Sequence, residues 1–278
     1  MRHAPFGPGG RPVPIIGLGT WQMEDDDRAS CVAALRAGLD AGATHVDTAE
    51  LYGWGVVEEL VGEAIAGRRD EIFLVSKVHP RNAARAKVLR ACEQSLARLR
   101  TDHLDVYLLH WRESHPLEDT LGALEELVTS GKIRAWGVSN FDENDLDEAL
   151  RLVGPGKIAC NQVLYHLEER AIEHAVLPWC KQHGVALVGY SPFAVGRFLR
   201  GRGKAVVEEI ARARGATARQ VVLAFLTREP ALFTIPKSAD PEHTRENAAA
   251  ADLVLTPDEL ARIDAAFPTG RPRGLPTG

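Results

Sequence analysis

The sequence predicts a single α/β domain over residues 1–278: a (β/α)8 TIM barrel with a short N-terminal lead and an added C-terminal helix. Three observations point there. Short apolar runs rich in β-branched residues alternate with amphipathic segments of helical length about eight times. Such alternation implies a parallel sheet with right-handed crossovers. The apolar runs repeatedly stop at a polar, chemically useful residue, and parallel barrels assemble their active sites from the C-terminal ends of several strands. The length, 278 residues, suits one barrel, for which roughly 250 is typical, and no linker divides it. An open doubly wound sheet is the rival and would also gather ligands at strand C-termini.

Taken in order, residues 14–19 form the first strand, and the run Thr44-His45-Val46 ends at Asp47. Between them, residues 28–41 repeat apolar side chains at helical spacing and stop at Gly42, a C-cap. Residues 56–66 do the same before Gly67, and the next run passes through Ser76 to Lys77. In the helix over 84–99, Val88, Leu89, Cys92, Leu96 and Leu99 share one stripe. Later runs end at His110, Ser139-Asn140, Asn161-Gln162, Tyr190-Ser191 and Lys237-Ser238. Helices over 117–128, 143–152 and 172–183 separate the first four of these; a pair over 203–214 and 218–226 precedes the last. A final barrel helix covers 240–250. The added helix covers 257–266, with Thr256 as N-cap and Pro257 at N1.

Composition excludes several classes. The net charge of -5, with no basic stripe, argues against a nucleic-acid partner. No window approaches the ~20 apolar residues of a membrane span, and residues 1–10 hold no signal-peptide core. Cys31, Cys92, Cys160 and Cys180 lie far apart with no Cys-x-x-Cys pair, so buried free thiols and a cytoplasmic location are expected. No histidine spacing supports a metal site, and Gly-x-Ser-x-Gly is absent. Gly17-Leu18-Gly19 starts a dinucleotide fingerprint whose third glycine position is Gln22. Gly201-Arg202-Gly203-Lys204 lacks the Ser or Thr of a phosphate loop, because Ala205 follows, and reads as a solvated basic loop.

The strongest local signal is the stretch from Asp47 to Gly53, in which an acid ends a strand and Tyr52 follows in the loop. Lys77 and His110 end the next two strands. A free tyrosine, with pKa ~10, is a poor acid near neutrality, and a nearby ammonium lowers that value. Asp47 is placed to partner the lysine charge, and His110 to hydrogen-bond a substrate oxygen or relay a proton. Singly, each residue has a bland reading: a helix cap, a solvated lysine, a hydrogen-bonded histidine. Together they suit protonation of a carbonyl oxygen as it becomes an alkoxide.

Along nearly its whole length the chain resembles the aldo-keto reductases. The resemblance runs through Gly17-Leu18-Gly19-Thr20-Trp21, His45 to Ala49 with Tyr52-Gly53, Ser76-Lys77, and Leu104 to Trp111. It continues through Gly131 to Arg134, Gly137 to Phe141, Asn161-Gln162, Tyr190-Ser191-Pro192, and Ile235 to Ser238 with Glu246-Asn247. Small bacterial members acting on aldehydes, ketoaldehydes or diketogulonate are the most similar.

The resemblance implies hydride transfer from a nicotinamide cofactor to a carbonyl. Tyr52 would be the general acid, Lys77 and Asp47 its tuning pair, and His110 the residue orienting the carbonyl. Tyr190 would stack on the nicotinamide, with Ser139, Asn140 and Gln162 on its carboxamide. Thr20 would also touch the cofactor. Ser191 would lie along the pyrophosphate, Lys237 and Ser238 near the adenosine ribose and its phosphate, and Glu246 and Asn247 at the adenine.

One position departs from the family. Well-known NADPH-dependent members grip the 2′-phosphate with an arginine six residues after the lysine, where this chain has His243. Histidine lacks the planar, permanently charged fork of arginine. Arg245 lies roughly 200° around the helix from His243. NADPH is the expected cofactor, with NADH use allowed. Trp21, Trp54 and Trp111 neighbour the rim and are candidates for walling a substrate pocket; Trp54 alternatively anchors a surface loop. Trp136 and Trp179 read as core.

A short segment between Tyr190 and Lys237 and a brief tail leave the mouth open, favouring small aldehydes, ketoaldehydes such as methylglyoxal, or aromatic aldehydes. The expected partner is a small carbonyl compound, with no membrane and a monomeric chain. The competing readings are a non-enzymatic nicotinamide-binding module of the channel β-subunit type and a barrel lyase or isomerase.

Overall fold

The computed structural model describes residues 1–195 and 198–276. It opens with a hairpin, β1 (His3–Phe6) antiparallel to β2 (Arg11–Pro14). Gly7 and Gly10 make its turn with φ of 59° and 63°, a region that costs L side chains steric strain. The barrel follows as β3 (Leu18–Gly19), α1 (Arg28–Asp40), β4 (His45–Asp47), α2 (Val56–Ala64), β5 (Phe73–Val78), α3 (Arg85–Leu99) and β6 (Leu104–Leu109). It continues with α4 (Leu117–Thr129), β7 (Ile133–Ser139), α5 (Glu143–Val153), β8 (Ile158–Leu164), α6 (Val176–His183) and β9 (Ala186–Tyr190). Two helices, α7 (Gly201–Arg214) and α8 (Ala218–Leu226), precede β10 (Leu232–Thr234) and α9 (Pro241–Ala249), and α10 (Pro257–Ala266) closes the order.

Strands β3 to β10 pair in chain order, all parallel. The ring closes through backbone: Gly17 N donates to Thr234 O at 2.8 Å, and Thr234 N donates to Ile15 O at 2.9 Å. A Cβ on Gly17 would stand 2.7 Å from the His45 carbonyl oxygen. The glycines that mimic a dinucleotide fingerprint therefore serve strand packing at the seam.

Two apolar cores result. One fills the barrel and includes Val75, Val106, Leu108, Val188 and Phe233. The other lies between the sheet and the ring of helices, where Trp136 and Trp179 are buried as expected. The cysteines are free and buried, and burial pushes the Cys92 and Cys180 thiols up to about 12. Thiols held protonated are inert ones. Among the described residues, no helix is long and apolar enough to cross a membrane.

Three boundaries differ from the sequence reading. Pro14 belongs to the hairpin, and the lead folds back as a plug, with the Phe6 ring 4.8 Å from Phe73 and 5.0 Å from Phe233. The helix expected over 172–183 starts at Val176, after a 3-10 turn. Pro178 explains this, since proline is tolerated only in a helix's first turn. Gly201 to Lys204 is the first turn of α7, where a loop is expected from sequence.

Candidate active site

Strand polarity puts the ends of β4, β5 and β6 side by side, and with them Asp47, Lys77 and His110. Lys77 Nζ lies 2.5 Å from Asp47 Oδ1, 2.9 Å from the Thr48 carbonyl and 3.2 Å from the Tyr52 hydroxyl. Both charged side chains are sealed, at 0% and 1% exposure, so the pair must be satisfied internally. It is: Gln162 donates its amide nitrogen to Asp47 Oδ2 at 2.6 Å. Thr20 Oγ1 donates to the Asp47 carbonyl at 2.9 Å.

Burial opposes the Lys77 charge, but Asp47 and the Tyr52 hydroxyl outweigh it, and the lysine pKa is raised. For Tyr52 burial is the larger effect. It raises the phenol pKa even though Lys77 pulls it down. The lysine influence expected from sequence is present but does not win, and Tyr52 keeps its proton at neutral pH, the state an acid needs. His110 is pushed down to about 2 by burial, with Lys77 and His79 adding to the effect. It meets Tyr52 edge-on at 5.8 Å between ring centroids, as a neutral ring.

A cleft of about 460 Å³ opens over this cluster. Its walls include Tyr52, His110, Asp47 and Thr20 together with Ser139, Asn140, Gln162, Tyr190, Ser191 and Lys237. Asn140 and Ser191 adopt left-handed backbones, φ 59° and 52°. Such strain at non-glycine residues concentrates at functional sites. The Tyr190 hydroxyl donates to Asn140 Oδ1 at 2.9 Å, while Asn140 Nδ2 reaches Ser139 Oγ and the His110 carbonyl, both at 3.2 Å.

A narrow second cavity adjoins, lined by Gly17, Gly19, Ser238 and Asn247. Asn247 Oδ1 is buried there with no partner among the described residues. A buried acceptor without a donor costs about 1–3 kcal/mol, so this one suits the amino group of an adenine-type ring. The donors and acceptors along the cleft thus fit an extended dinucleotide.

Other expected residues lie elsewhere. His243 is exposed on the first turn of α9, its N–H capped by Asp240. The Glu246 carboxylate is spent on Thr217 Oγ1, 2.5 Å away, tying α9 to α8. The Ser238 hydroxyl closes a local turn with Asp240. Trp21 and Trp111 wall the cleft. Trp54 does not: it is 71% exposed, on a left-handed backbone of φ 51°, with its ring 6.0 Å from that of His79.

Sequence reasoning missed the supports. Glu50, buried, accepts from His79 N at 2.6 Å and Asn82 Nδ2 at 3.0 Å, joining the loops after β4 and β5. Glu58, also buried, accepts from Ser76 Oγ and Arg98, both at 2.6 Å. An acid amid apolar helix neighbours was the available signal for Glu58. For Asp26, which pairs with Lys237, there was none.

A closed barrel with a Tyr–Lys–Asp–His cluster beneath an extended cleft is the architecture of a carbonyl-reducing barrel. The chain belongs to the aldo/keto reductase family, whose model matches residues 15–267. It is 48% identical over 266 residues to the methylglyoxal reductase YeaE of Escherichia coli, covering 94% of this chain and 93% of that protein. It is 34% identical to the glyoxal reductase of Bacillus subtilis, covering 91% and 88%. An aldo/keto reductase from Klebsiella pneumoniae, solved with NADP and acetate, superposes with a TM-score of 0.95 at 48% identity, covering 100% and 99%. These relatives are named as reductases, which favours catalysis over the regulatory-module reading.

Proposed function

We propose that the chain reduces small aldehydes and ketoaldehydes, methylglyoxal among them, to alcohols with NADPH. The observation that carries this is the buried Asp47–Lys77 pair holding the Tyr52 hydroxyl at 3.2 Å on the floor of the cleft. Two of the relatives are named for reducing methylglyoxal and glyoxal, and the Klebsiella structure contains NADP. When bound, the nicotinamide supplies a hydride to the carbonyl carbon.

The residues do the rest. Tyr52 gives its proton to the carbonyl oxygen as charge grows there, and the Lys77 ammonium stabilises the phenolate left behind. Asp47 keeps that ammonium charged and fixed in a site where an unpaired charge would not persist. His110, uncharged, offers a hydrogen bond that aligns the carbonyl without competing as a second acid. Ser139, Asn140 and Gln162 would orient the carboxamide, and Tyr190 one ring face. The Asn247 oxygen would take the adenine amine.

Replacing Tyr52 with Phe tests the assignment. Turnover of methylglyoxal, followed at the reduced-cofactor absorbance band, should fall about 10²–10⁴-fold with cofactor affinity nearly intact. Undiminished turnover refutes Tyr52 as the acid. The same reading covers a cytoplasmic monomer, for which the buried free thiols fit a reducing compartment and light scattering measures the mass.

A further inference from the structure

Among the described residues, Lys237 is the cation in the cleft wall available to a cofactor phosphate, and it is already engaged: its ammonium pairs with the Asp26 carboxylate. The two residues are 211 positions apart, on loops following β3 and β10 that meet at the barrel seam. Asp26 is not a side chain at the end of a loose loop. Met23, three residues earlier, is buried, and its carbonyl accepts the Asp26 N–H. Glu24 accepts from Gly53 N at 3.1 Å, and Asp27 caps α1 through Ser30 N. The carboxylate is thus presented to Lys237 by a short segment fixed on both sides.

Of the neighbouring groups on α9, Arg245 is likewise engaged. His243 stands exposed on the first turn of that helix. Lys237 thus reaches the cleft wall already paired with Asp26, while Arg245 pairs with Glu242 on α9. Among the described residues, no arginine lines the cleft.

We propose that Asp26 is a specificity-determining residue, which competes with a cofactor's 2′-phosphate for Lys237 and so restrains the preference for NADP(H) over NAD(H). The inference rests on the reductase reading above. A dianionic phosphate entering beside Lys237 displaces Asp26 or shares the ammonium with it, and in either case meets a like charge. NAD(H) carries no 2′-phosphate and feels this far less. The effect is between partly exposed charges, at 30% and 35% exposure, so salt screens it.

The test is a set of dissociation constants for NADP+ and NAD+, measured by calorimetry at low salt on wild type, Asp26→Asn, Lys237→Met and the double variant. Asp26→Asn should tighten NADP+ about tenfold while NAD+ moves less than about twofold. The gain should vanish in the Lys237→Met background and shrink at 0.5 M salt. Unchanged or weaker NADP+ binding in Asp26→Asn overturns the inference. So does equal tightening of both cofactors, which would place Asp26 against the shared pyrophosphate. Binding of neither cofactor to any variant defeats the reductase reading and this inference together.

Discussion

The two halves of the rim are built on opposite principles. From β4 to β6 the Lys77–Asp47 pair is sealed, at 0% and 1% exposure, and holds the half-buried Tyr52 hydroxyl. From β7 to β10 Asn140, Tyr190, Ser191 and Lys237 are half-buried, with Tyr190 bonded to Asn140 and Asn140 and Ser191 strained, and at the far end Asn247 Oδ1 has no partner among the described residues. The first half needs fixed electrostatics at one hydroxyl; pre-organisation there lowers a barrier. On the proposed function, the second receives a long guest, for which the Tyr190–Asn140 and Asn140–Ser139 contacts are available to exchange.

The largest effect should come from breaking the sealed half. Lys77→Met leaves Asp47 buried and uncompensated, which should cost about 3–5 kcal/mol in chemical denaturation. Adding Asp47→Asn should restore much of that stability and none of the turnover. If both recover, the pair is scaffolding.

Next comes acid. His45, inside the barrel with neither ring nitrogen bonded, is pushed down to about 4 by burial, against Asp47, which pulls it up. A folded pKa below the unfolded value of ~6.5 gives stability that is complete above 6.5 and lost as pH falls toward 4. The loss should reach about 3 kcal/mol, and His45→Leu should flatten the slope of thermal midpoint against pH. An unchanged slope assigns the acid sensitivity elsewhere.

The exchangeable half should respond in binding, not folding. Tyr190→Ala should weaken cofactor binding by about 1–3 kcal/mol, the scale of ring stacking, with denaturation barely altered. A large fall in stability would make Tyr190 a core residue. The smallest effect is expected at Trp54. Trp54→Gly relieves a left-handed backbone and removes no cleft contact, so kcat/KM for methylglyoxal should stay within about twofold.

What could be read in advance follows the same division. Strand ends are legible because the period of side chains and the run length fix where a strand stops, and Asp47, Lys77 and His110 each stand at one. Tyr52 came from its closeness to Asp47. Supports such as Glu50 and Asp26 depend on which loops meet in space, at 29 and 211 residues' separation, and no local pattern records that. The hairpin escaped for another reason: a lead rich in proline and glycine gives almost no period to read. Trp54 shows the limit of adjacency: it lies two residues from Tyr52 in a run of left-handed backbone from Gly53 to Gly55, yet is exposed and outside the cleft.

The plug formed by β1 and β2 also decides how the molecule could be handled. It places Met1 at the end of the barrel opposite the cleft, its ammonium 3.0 Å from Asp252, whereas Arg273, in the tail after α10, pairs with Glu169 in the loop after β8. A resin or a fused partner attached at the amino end would hang behind the catalyst. One attached near Arg273 would sit by the loop after β8, which contributes His166 to the cleft wall.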